Sequence, residues 1–123
     1  MTAPRRSRST ALASLVLAAS LALALLPASP ASAAVIVRGS GRSWSPATVS
    51  ISRGGAVRWR ATSGSHFVRA YGGNWTYAHS LPGGSTTPAR AFNRAGTYRF
   101  YCTIHGSVVG GVCSGMCGKI VVH

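Results

Sequence analysis

The sequence predicts an all-β sandwich of about seven strands over residues 34–123, on three observations. Short runs rich in Val, Ile, Thr and aromatic residues recur through this stretch, and none keeps the apolar period of a helix. Turn clusters separate the runs at Arg53-Gly54-Gly55, Gly72-Gly73-Asn74, Pro82-Gly83-Gly84 and Ala95-Gly96, the spacing of a sandwich rather than of βαβ units. Two runs alternate strictly, Val57/Trp59/Ala61 and Tyr98/Phe100/Cys102, so every second side chain faces one side of a sheet.

Taken in order, residues 1–33 read as a segment for export rather than as part of the fold. Arg5, Arg6 and Arg8 make a positive start, residues 11–26 an apolar run shorter than the ~20 residues of a membrane span, and Ala31-Ser32-Ala33 a cleavage signal. The expected mature chain, 34–123, is one small domain delivered to the cell envelope or secreted. Arg5-Arg6 leaves a twin-arginine route open beside the general one. Strands are then expected at 35–38, 47–51, 56–61, 67–71, 89–92, 97–101 and 119–122. Residues 72–88 are the longest irregular stretch, in which Trp75 and Tyr77 either cover one end of the sandwich or form a short strand.

The 123 residues include 13 Lys and Arg and no Asp or Glu. Carboxylate pairs for glycoside hydrolysis, a Ser-His-Asp arrangement and oxygen cages for Ca²⁺ or Mg²⁺ are therefore excluded. What remains is imidazole, thiolate and thioether, the donors that suit copper or zinc. Three of the cations precede the expected cleavage site, and the ten that follow have only the C-terminal carboxylate as counter-charge. They point either to an acidic redox partner or anionic envelope surface, or to a compositional preference for Arg with no partner behind it; nucleic acid is not expected of an exported chain.

Four residues converge on one chemistry. Cys102 and His105 lie at the end of the run 97–101 and just beyond it, Met116 precedes the last strand, and His66 follows a Ser-Gly-Ser turn after Trp59. Two imidazoles and a thiolate in one plane with a weak thioether above it form the trigonal site of electron-transfer copper. Such a site suits both cuprous and cupric states, so little has to move when an electron arrives. Each residue also has an ordinary explanation: Met116 as core filler, Cys102 as half of a disulfide, His66 as a surface side chain. His79 and His123 are read as surface histidines, and Trp44, Trp59, Phe67, Tyr98, Phe100 and Tyr101 as core and rim.

The segments Trp44–Val49, Gly55–Trp59, His66–Val68, Gly96–His105 and Gly115–Val122 together resemble the plastocyanin-like cupredoxins, the type 1 blue copper proteins. The resemblance implies a Greek-key β-sandwich and one-electron transfer. It also implies one copper, with His66 and His105 as imidazole ligands, Cys102 as thiolate and Met116 as axial thioether. The chain departs from the family in placing residues 106–115 between the second His and the Met, expected here as a bulged Gly-rich excursion. It also has Ser63-Gly64-Ser65 where an Asn or Asp braces the Cys loop, leaving a serine hydroxyl to take that part.

Cys113 and Cys117 flank Met116, and three cysteines in an exported chain leave one over. A Cys113–Cys117 disulfide with Cys102 as the metal thiolate accounts for all three. The alternative, a dinuclear copper pair on Cys113 and Cys117, wants a His four residues on, where Val121 stands. The expected function is thus a monomeric electron carrier working with a protein redox partner. Copper sequestration or delivery is the alternative, a metal-free sandwich the third class, and an enzyme is not expected because four ligands leave no open position.

Overall fold

The computed structural model describes residues 2–4 and 33–123. The export segment expected at 1–33 falls almost wholly on residues outside those described. Nine strands run in chain order: β1 (Val35–Ser40), β2 (Ser43–Ser45), β3 (Thr48–Ile51), β4 (Gly55–Ser63), β5 (His66–Tyr71), β6 (Ala78–Leu81), β7 (Arg90–Phe92), β8 (Gly96–Val109) and β9 (Val112–Val122). They form a four-stranded sheet, β2-β1-β4-β7, and a five-stranded sheet, β3-β9-β8-β5-β6. The pairs β1–β4 and β3–β9 are parallel and the others antiparallel. The chain enters one sheet with β1 and β2, crosses with β3 to lie beside its own last strand, and returns with β4.

Two strands exceed the seven expected. Ser43–Ser45 and Ala78–Leu81 carry too few apolar residues to announce themselves, and both exist by pairing, β2 to β1 and β6 to β5. Part of the irregular stretch acts as a substitute strand along β4. Ala61 N–H donates to Ser85 at 3.0 Å and Thr87 N–H to Trp59 at 2.8 Å, while the buried Thr87 hydroxyl accepts from Trp59 N–H at 3.0 Å.

The core lies between the sheets and follows the alternation. Val57, Trp59 and Ala61 from β4 meet Val68 from β5, Phe100 and Cys102 from β8 and Ile120 from β9, all fully buried. Each large side chain so placed stabilises the fold by about 1.5–3 kcal/mol. The Phe100 ring stands edge-on to Trp59 at 5.3 Å and to Trp44 at 5.7 Å. Trp75 and Tyr77 stay outside any strand and cover this core, the Tyr77 ring 5.0 Å from that of Trp59. Trp75 is fixed there by its indole N–H, which donates to Arg99 carbonyl at 3.0 Å.

The expected excursion at 106–115 is instead an ordered hairpin. Its strands are the continuations of β8 and β9, pairing Gly106 with Gly115, Ser107 with Ser114, Val108 with Cys113 and Val109 with Val112. Gly110 and Gly111 make the turn with φ of 57° and 78°, the doubly positive conformation that matches the twist of flanking strands.

Candidate metal centre

The turn Ser63-Gly64-Ser65, with Gly64 at φ 76°, starts β5 and delivers His66 into the interior between the sheets. Nε2 of His66 lies 2.8 Å from the Ser63 carbonyl. A carbonyl only accepts, so Nε2 carries the proton and Nδ1 presents a lone pair. That nitrogen faces Cys102 Sγ at 3.8 Å. Outer contacts of this kind set the tautomer and orientation of metal-binding histidines.

Cys102 sits on the inward face of β8, fully buried and unpaired. After it the pairing of β8 with β9 breaks. The ladder holds at Tyr101–Cys117 and resumes at Gly106–Gly115, so the four residues from Cys102 to His105 form a bulge opposite Met116 alone. The bulge turns His105 back toward the thiol, with Nδ1 3.7 Å from Sγ, while its ring stays half-buried. The His66 and His105 rings are 5.2 Å apart, and one donor atom from each of His66, Cys102 and His105 lies within 4.8 Å of the others.

The bulge closes tightly because its base is glycine on both strands. A Cβ on Gly115 would run into the His105 carbonyl, and one on Gly106 would stand 3.0 Å from Met116 N and 3.1 Å from Cys102 carbonyl. The hairpin therefore leaves the chain at the same place that it re-enters, and Met116 lies opposite Cys102–His105 despite its distance in sequence. Met116 is buried, and its carbonyl accepts from the Trp44 indole N–H at 3.3 Å, a tie reaching from the other sheet.

A metal about 2.0 Å from each nitrogen and about 2.3 Å from sulfur, with trigonal angles, sets sulfur and nitrogen about 3.7 Å apart. The two observed separations, 3.8 and 3.7 Å, meet that requirement. One thiolate and two imidazoles, with a buried Met opposite the bulge, fit a single mononuclear copper of the type 1 kind and fall short of the thiolate-rich or three-His sets typical of zinc. Cys113 and Cys117 are joined to each other. A dinuclear pair on those two sulfurs would have no thiolates left.

His79 and His123 stand apart from the cluster. His79 Nδ1 lies 2.7 Å from Ser80 carbonyl, and His123 Nε2 lies 2.7 Å from Ser50 Oγ. The Ser65 hydroxyl does not take the part expected of it at the Cys loop: it accepts from Gly83 N–H at 3.1 Å and so ties down the β6–β7 connection, while the Ser63 backbone carbonyl orients His66. Gly39 was not foreseen at all. A Cβ there would come within 2.8 Å of the Trp44 ring and 2.9 Å of the His66 ring, so its bare backbone is the floor on which both rest. The signal was present: a glycine at an inward position of a strand, two residues after Val37, marks close approach.

No protein-family model and no curated protein matches the chain. Solved structures do. A reduced amicyanin variant superposes with a TM-score of 0.60 at 22% identity, over 73% of this chain and 82% of amicyanin. A purple cupredoxin from Nitrosopumilus maritimus gives 0.55 at 19%, over 72% of this chain and 99% of that protein. The chain has the cupredoxin fold. A copper-containing nitrite reductase from Thermus scotoductus gives 0.61 at 21%, over 74% of this chain but only 22% of the enzyme, so the cupredoxin unit recurs there inside a larger protein.

Where this cupredoxin fold opens to solvent, the His105 edge sits in a cleft of about 360 Å³ between Arg42 of the β1–β2 turn and the base of the hairpin. Ile104 beside it is 59% exposed. No acidic side chain occurs in the sequence, so the Arg42 charge at this opening has none to offset it.

Proposed function

We propose that the chain is an exported carrier of single electrons, working through one type 1 copper that His66 Nδ1, His105 Nδ1 and Cys102 Sγ would hold, with the Met116 thioether as a further, weak donor. The observation that carries this reading is the pair of sulfur–nitrogen separations, 3.8 and 3.7 Å, already suited to a trigonal metal. The metal when bound supplies a one-electron couple between cuprous and cupric states. Amicyanin, similar in fold, is known in oxidised and in reduced, Cu(I) forms.

The chain's own residues supply the rest. His66 is locked by Ser63 and buried, Cys102 is sealed from water, and both stand on strands of one sheet, so the donor set keeps its shape when charge changes. Four donors leave no position for a substrate, which argues against an enzyme. His105 alone reaches the surface, and electrons pass to and from a partner across its half-buried ring. Arg42 at the same opening favours an acidic partner face. The Cys113–Cys117 bridge agrees with an oxidising compartment and hence with export.

The test is an absorption and EPR spectrum of the Cu(II)-loaded protein beside Cys102→Ser. An intense thiolate-to-copper band is expected in the wild type and absent from the variant. A colourless wild type overturns the reading. A protein that turns blue but releases its metal on reduction is a delivery protein instead, because a carrier holds copper in both states.

A further inference from the structure

The outer face of the five-stranded sheet carries a feature unrelated to the metal donors. Register sets Tyr71 beside Arg99, Arg99 beside Lys119, and Lys119 beside Thr48, one continuous row across four strands. The neighbouring residues Phe100, Gly118 and Val49 are buried, so this row faces away from the core. Arg99 and Lys119 are like charges directly opposite on adjacent strands, a destabilising arrangement unless something neutralises them. Nothing in the chain does, since it has no Asp or Glu.

The hairpin builds a wall over the same row. Cys113 and Cys117 are four residues apart, which in a straight strand spans about 13 Å. Their Cα atoms are only 6.2 Å apart, so β9 folds back sharply, and Gly115 at φ 84° allows it. The disulfide holds that fold. As a result Gly111, Val112 and Cys113 of the hairpin and Tyr71, Arg99 and Lys119 of the sheet line one cleft of about 460 Å³.

We propose that this cleft binds a small organic oxyanion, a carboxylate or phosphate monoester carrying an apolar body. The guanidinium and ammonium take the charged head through charge-assisted hydrogen bonds, relieving their mutual repulsion. Tyr71, Val112 and the disulfide offer apolar surface to the body. The cleft is roomier than an inorganic anion needs and falls in the range of small-molecule sites, about 300–1,000 Å³. The proposal also gives the insertion and its disulfide a purpose that the metal centre does not require. Alternation puts Tyr101 on this outer face and Cys102 on the inner one, so failure here would leave the electron-carrier reading untouched.

The test uses the copper-loaded protein in its reduced, diamagnetic form, followed by ¹H–¹⁵N spectra at constant chloride. Phenyl phosphate, benzoate and inorganic phosphate are titrated separately, the first two distinguishing phosphate from carboxylate heads. Saturable shifts are expected at the amides of Tyr71, Arg99, Gly111, Val112 and Lys119, with one of the two aromatic anions binding about tenfold more tightly than inorganic phosphate. Arg99→Gln and Lys119→Gln should each weaken it by about tenfold or more. Arg58→Gln, exposed on the other sheet, should not change it. Cys113→Ser with Cys117→Ser should weaken binding by releasing the wall. Shifts that never saturate or that spread over both sheets overturn the proposal, as do Gln variants that bind like wild type or an inorganic phosphate that binds as well as both aromatic anions. If a Gln variant fails to fold, the wild-type shift map and Arg99→Lys, which keeps charge but loses the fork, decide the matter.

Discussion

Gly39 and Met116 show how single residues set the site without being its obvious donors. Gly39 lies under the rings of Trp44 and His66, and a methyl group there would meet both inside 3 Å. Both rings are buried, so neither can swing away freely. Gly39→Ala should therefore shift the His66 nitrogen relative to Cys102 and alter the charge-transfer spectrum of the Cu(II) protein, at a stability cost of about 1–3 kcal/mol in urea. A variant with the wild-type spectrum would show that the floor has room after all. Met116→Leu keeps the volume and removes the thioether. If Met116 is the axial donor, the variant stays blue but its reduction potential rises, because the cupric state loses a ligand. An unchanged potential, read by redox titration, would make Met116 core filler.

At the scale of elements, the hairpin grown from β8 and β9 is separable from the metal donors. Gly106 and Gly115 are paired at its base, so a two-residue Asn-Gly turn in place of residues 107–114 would bridge them without moving either. With Cys117→Ser to remove the orphaned thiol, this variant should keep its blue band and lose only about 2 kcal/mol with the disulfide. Loss of the band would mean that the hairpin scaffolds the bulge. The strand that carries Cys102 and the one that packs against it were legible in the sequence, because Tyr98/Phe100/Cys102 and Val57/Trp59/Ala61 alternate, and the Ser63-Gly64-Ser65 turn announced His66; His105, expected just beyond its strand, lies instead on a bulge within β8. The short strands β2 and β6 were not legible, since their existence depends on partners distant in sequence. The hairpin was half legible. Gly110-Gly111 between Val109 and Val112 is a two-residue turn signal, but the glycines at 106 and 115 disguised the ribbon as loop. The Ser63 carbonyl that orients His66 is a backbone atom and leaves no trace in side-chain identity, so the sequence offered no sign of it.

The whole molecule is organised around a charge imbalance. Every Arg and Lys of the described chain lacks an acidic side chain to pair with, and register places two like pairs directly opposite one another, Arg38 with Arg60 and Arg99 with Lys119. Folding concentrates these charges while the unfolded chain spreads them, so the native state bears more of the repulsion. Salt should then act in opposite directions on stability and on association. Raising NaCl from 0.01 to 0.15 M shortens the screening length from about 30 to about 8 Å. With no carboxylate pairs to weaken, the net effect on folding is stabilising, on the order of 1 kcal/mol. The urea midpoint should move upward while its slope stays fixed. Over the same range, electron exchange with an acidic partner should slow, because the field that steers encounter is screened. A midpoint indifferent to chloride would mean that solvent already masks the cations. In that case the excess charge would act on the approach of a partner and not on the fold.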